Sequence, residues 1–154
     1  MSFKNELLDL IRKEMREQLA RLTAAAKDAH AAATDPDAQA EGKYDTRSLE
    51  ASYLASGQAR QLEELTESLR VLESFTPREY GLEEAIDAGA LVETSLDDEV
   101  TWFLLAPSAG GHSRQHDDRD VTLLTPSSRL YQALLGKSVG TIVEETGHFI
   151  TEIE

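Results

Sequence analysis

The chain has 154 residues, a formal net charge of −14 and no cysteine. Its isoelectric point is near 4.6. That charge repels phosphate backbones and argues against autonomous DNA or RNA binding. The missing cysteines exclude disulfides, thiolate nucleophiles and thiolate-bound zinc together. The sequence carries no signal-peptide core, and no apolar run nears the roughly 20 residues needed to span a bilayer. The expectation is a soluble cytoplasmic protein.

In chain order, the first pattern runs from Asn5 to about Ala33. Leu8, Ile11, Met15, Leu19, Leu22, Ala26 and Ala29 recur at steps of three and four among charged residues, which is one face of an uninterrupted helix. A second series, Ala51, Ala55, Gln58, Leu62, Leu65, Leu69 and Leu72, keeps near-heptad spacing up to Phe75, and Pro77 must end it. Two helices of similar length, each on the order of 40 Å, predict an antiparallel hairpin rather than a squat core. Thr34-Asp-Pro-Asp37 supplies the turn, with Asp35 as a cap and Pro36 as a first helical residue. The seam passes from Leu, Ile and Met to alanines at 24–33 and 51–59, so burial per layer falls toward the turn.

Beyond Pro77 the period changes. Short β-rich runs lie at Ala90–Thr94, Val100–Leu105, Val121–Leu124, Thr141–Glu144 and His148–Ile153, and His112–Asp120 reads as a solvated loop. A short helix opened by Pro126 carries Leu130, Leu134 and Leu135 and stops at Gly136. Helices first and strands afterwards argue for an α+β chain with segregated units, divided near Ser74–Tyr80: a hairpin over residues 1–76 and a globular domain over 77–154.

Pro126, Leu134-Leu135-Gly136-Lys137 and Gly140 resemble the C-terminal domain motif of the bacterial Gre-type transcription elongation (transcript cleavage) factors. Ile86, Gly89, Val92, Val100 and Phe103 resemble that family's strand pair, and Glu41, Gly42, Lys43 and Tyr44 resemble the end of its hairpin tip, with Gln58 and Arg60 on the returning helix. The resemblance implies a coiled-coil hairpin that enters the secondary channel of RNA polymerase, and an FKBP-like antiparallel domain with one short helix that docks outside. It implies two tip carboxylates, Asp37 and Glu41 with Asp35 as the alternative, that help to hold the polymerase's catalytic Mg²⁺ while backtracked RNA is cut. Aligned on Tyr44 without a gap, Asp37 meets the family aspartate and Ala40 the glutamate; a shift of one residue brings Glu41 into register. Gly42 and Lys43 replace an asparagine and an acid, so this tip is less negative than the family's. By the same resemblance, Asp35, Lys43, Tyr44, Leu134, Leu135 and Lys137 are partner-binding, and the chain binds no cofactor and catalyses nothing alone. Its partner would be RNA polymerase, and nascent RNA only indirectly. The alternatives are a non-cleaving competitor for the channel and a chaperone-like interaction module with another partner.

Other constellations are weaker. His112 and His116 with Asp117, Asp118 and Asp120 offer metal ligands on what reads as a mobile loop. Gly136-Lys137-Ser138 lacks the earlier glycine of a phosphate loop, Ser127 and Ser128 lack an activating base, and Trp102, Phe103, Tyr131, Phe149 and Tyr80 are too few for a proline-binding pocket. Arg12, Lys13 and Arg16 read as a solvated helix face.

Overall fold

The computed structural model describes residues 2–34 and 46–154, with side chains at 2–28, 31 and 57–154. Two long helices come first, α1 at Phe3–Thr34 and α2 at Thr46–Glu73. At 32 and 28 residues they are about 48 and about 42 Å long. α2 ends four residues before Pro77, and its last carbonyls are met by α1: Arg12 donates from Nη2 to Leu72 O and to Phe75 O, both at 2.7 Å. Leu72 O, which also accepts from Phe75 N at 3.2 Å, and Phe75 O just past the helix thus share a guanidinium.

A five-stranded sheet follows, made of β1 (Leu91–Leu96), β2 (Glu99–Leu105), β3 (Ser113–His116), β4 (Arg119–Leu124) and β5 (Phe149–Ile153) in the order β3-β4-β2-β1-β5. Asp97 and Asp98 join β1 to β2, and Asp117 and Asp118 join β3 to β4; all four have positive φ, the backbone twist that matches two-residue hairpins. The short helix α3 (Arg129–Leu134) lies between β4 and β5, capped by the Ser128 hydroxyl, which accepts from Tyr131 N at 3.4 Å.

Three expectations are corrected. The sheet is mixed, because β4 runs parallel to β2, with Trp102 opposite Val121 and Leu105 opposite Leu124. The chain leaves β2, passes one strand position, returns as β3, and then inserts β4 into the space between; Ala106 N donates to Leu124 O and Gly111 N to Leu123 O along the crossing. The stretch read as a solvated loop contains β3, a polar edge strand. Thr141–Glu144 is no full strand: a single bridge joins Ile142 to Phe149, and the chain then turns through Gly147 N to Val143 O at 2.7 Å.

Both faces of the sheet are buried. Val92, Phe103, Leu105 and Leu124 share a cluster with Tyr131 and Leu134 of α3 and with Tyr80, Ile86, Val143 and Ile150. The alternate residues Leu91, Trp102, Leu104, Val121 and Leu123 are also buried, as are Leu7, Leu8 and Ile11 of α1. Arg119 connects these sets, its guanidinium 4.5 Å from the Phe3 ring centre and 4.2 Å from that of Trp102. The chain forms two compact units: Met1–Arg12 with Arg70–Glu154, and Lys13–Leu69. The first turns of α1 and the last residues of α2 therefore belong to the globule. No described helix is long and apolar enough to cross a membrane.

Candidate functional site

α3 ends where the sequence motif places its Leu-Leu-Gly-Lys. Leu134 is fully buried in the core and supports the surface from below rather than meeting a partner, whereas Leu135 is 38 % exposed. Gly136, at φ 78°, reverses the chain in a conformation open to glycine. The reversal is clamped from across the globule: Gly136 N donates to Ile86 O at 2.8 Å, and Ile86 N donates to Lys137 O at 2.9 Å. Val139, Ile142 and Phe149 beyond it are also exposed, Ile142 and Phe149 as bridge partners. Lys137, Thr141, Ile142, Glu144 and Glu145 line one shallow groove; Arg78, Glu84, Ala85, Ile86, Asp87, Leu135 and Gly136 line another.

The second groove has a fixed polar wall. Arg78 donates to Glu84 at 2.7 Å, and that bond holds the Glu84 carboxyl below its ordinary range. The same guanidinium lies 3.7 Å over the Tyr80 ring, whose hydroxyl donates to Ala88 O at 2.6 Å and whose pKa is raised, chiefly by burial. Exposed Leu135 thus lies among Arg78, Glu84 and Asp87 in one groove, and exposed Ile142 among Lys137, Glu144 and Glu145 in the other; apolar side chains among charges of both signs suit protein contact better than a small substrate.

The tip residues Asp35, Asp37, Glu41, Lys43 and Tyr44 lie outside the described residues. Arg12 is not part of a solvated face, since it bonds to the end of α2 and to Asp9 at 3.0 Å; Lys13 and Arg16 are exposed. His116 comes beside Asp117 and, unexpectedly, Glu6 of α1; His112, Asp118 and Asp120 do not join this group. Trp102, Phe103, Tyr131 and Tyr80 are buried, and Phe149 alone among the five aromatics considered for a proline pocket is exposed.

Sequence reasoning missed Lys4. Its side chain is 2 % exposed, and Nζ donates to three main-chain carbonyls: Arg78 O, Gly89 O and Glu154 O, the last two at 3.0 Å. Burial lowers its pKa against the attraction of Glu79 and Glu154. A lysine four residues into a chain carries no sequence signal of such a role, because its acceptors lie more than seventy positions away.

No family model matches the chain, and no curated protein matches it. Among solved structures it is similar to GreA factor homolog 1 (Gfh1) of Thermus thermophilus, at 17 % identity over 93 % of this chain and 94 % of that one, with a TM-score of 0.37. It is also similar to Thermus aquaticus Gfh1, at 16 % identity over 92 % of each chain and a TM-score of 0.35. A further structure of the transcription factor Gfh1 is 24 % identical over 88 % of this chain and 79 % of the other, with a TM-score of 0.31.

Proposed function

We propose that the chain is a Gre-like regulator that binds RNA polymerase, is not catalytic by itself, and works in the cytoplasm. The globule docks on the enzyme through Leu135, Lys137 and the neighbouring Ile142, and the helical pair delivers Asp37 and Glu41, or Asp35, to the secondary channel. There the carboxylates would share the polymerase's Mg²⁺, which supplies the Lewis acidity for cutting backtracked RNA. A net charge of −14 suits a probe that contributes oxygen ligands to a metal and does not hold nucleic acid on its own.

The observation that most supports this reading is the clamp between Ile86 and Gly136–Lys137. Two segments that resemble the family separately, some fifty residues apart, hydrogen-bond to each other in both directions. A chance match of either segment would not require that meeting.

The test is binding to purified bacterial core polymerase, followed by RNA cleavage in stalled complexes. Ile142→Asp changes an exposed residue and should weaken binding by at least about tenfold, about 1.4 kcal/mol, with the fold intact. Asp37→Ala and Glu41→Ala should bind normally and lose cleavage. Binding with acid-independent behaviour would reduce the chain to a channel competitor, and no polymerase binding would overturn the proposal.

A further inference from the structure

Glu6, His116 and Asp117 turn one carboxylate of α1 and the end of the β3–β4 hairpin toward a common point. His116 Nε2 lies 3.3 Å from Glu6 Oε2 and 3.5 Å from Asp117 Oδ2, and one donor atom from each residue falls within 4.8 Å of the others. The first distance is a long hydrogen bond, since charge-assisted bonds close to about 2.7–2.9 Å. Both distances from His116 also fit a shared cation: bonds of about 2.0–2.2 Å at tetrahedral angles set neighbouring donors about 3.3–3.6 Å apart.

The surroundings agree. The His116 side chain is 21 % exposed and its ring is held against Phe3 at 5.2 Å between centres, while Glu6 and Asp117 are 43 % and 68 % exposed, leaving an entry path. Arg119, the register partner of His116, is committed elsewhere, paired with Glu154 at 2.7 Å and stacked between Phe3 and Trp102. Two carboxylates balance a divalent charge, and the imidazole selects against Mg²⁺ and Ca²⁺.

We infer that Glu6, His116 and Asp117 form a site for a borderline divalent metal of the Zn²⁺ or Co²⁺ type, with water completing the coordination. The metal would pin the first turn of α1 to the β3–β4 turn within the globular unit. Its role is structural and independent of the polymerase reading.

The experiment titrates metal-stripped protein with Zn²⁺ by calorimetry, and with Co²⁺ by visible absorption, alongside thermal melts. One equivalent should bind, with the spectrum of four-coordinate Co²⁺ and a raised Tm. His116→Gln and Glu6→Gln should each weaken Zn²⁺ binding by about tenfold or more and abolish the rise in Tm, and His148→Gln should leave both unchanged. Should either variant lower the metal-free Tm, Asp117→Asn at the exposed turn reports the same loss. No stoichiometric binding, affinity unchanged in these variants, or displacement of Zn²⁺ by excess Mg²⁺ would overturn the assignment.

Discussion

Replacing Lys4 by Met keeps most of the aliphatic stem and removes the ammonium from a site that offers three main-chain acceptors. Glu154 O retains a donor, since Leu91 N reaches it at 3.0 Å. Arg78 O and Gly89 O have no other donor among the described residues; a buried carbonyl such as Gly89 O left without a partner costs about 1–3 kcal/mol, and the part-buried Arg78 O, which water can reach, about 1 kcal/mol. The gross loss is then about 2–4 kcal/mol. Against it stands the relief of no longer burying a charge, which is real because desolvation is the largest influence on this amine and lowers its pKa. A net destabilisation of about 2–3 kcal/mol is expected. Trp102, the sole tryptophan and 5 % exposed, reports on the globule in urea unfolding without interference from the rest of the helices. The midpoint should fall at constant m. A second readout is pH: with the folded pKa below the ordinary 10.5, the unfolded chain binds the proton more tightly, so wild-type stability gains as pH rises through the folded value to 10.5. The variant should lack that gain. A midpoint unchanged or raised in Lys4→Met would refute the reasoning, since it would mean that the carbonyls find water or that the ammonium contributes nothing net.

Arg12→Lys should destabilise the globule by about 1–3 kcal/mol in the same assay, because one shorter ammonium cannot reproduce the planar fork in which Nε and Nη2 both donate to Leu72 O while Nη2 also reaches Phe75 O and Nη1 reaches Asp9. His112 and His148 both have pKa values lowered from 6.5 by burial, so their contribution is complete above 6.5 and is lost as pH falls through the lowered folded values. His148→Gln should flatten that acid limb of the stability profile, measured as urea midpoints from neutral pH downward; an unchanged slope would rule the histidine out.

Elements whose signal is local were legible in the sequence. The steps of three and four from Leu8 to Ala29 gave α1, and the β-rich runs gave β1, β2, β4 and β5 to within a residue or two. β3 escaped because Ser113-Arg-Gln-His116 is an edge strand with no apolar alternation, although the Asp117-Asp118 turn after it repeats the chemistry of Asp97-Asp98, which does mark a hairpin. Thr141–Glu144 has the composition of a strand, but its ladder closes after one bridge as the chain turns back at Gly147. The parallel pairing of β2 with β4 had no signature at all, since it follows from where β4 is inserted and not from any residue in it. Within the candidate docking surface, the resemblance pointed to Leu134, Leu135 and Lys137 alike and could not tell exposed Leu135 from its buried neighbour Leu134, which differs only in which way the helix end faces. Glu6 is one acid among many on a helix, and its meeting with His116 spans 110 positions.

The placing of β4 between β2 and β3 also governs how the molecule can assemble. The β3–β4 hairpin closes locally through a two-residue turn, an event of microseconds, but its inner strand completes the sheet only by entering beside β2. Until it does, β2 presents an open row of amides and carbonyls flanked by Trp102, Phe103, Leu104 and Leu105. This chain's sticky moment in biogenesis therefore sits in the centre of its sheet, and a chaperone or an aggregating neighbour would find it there.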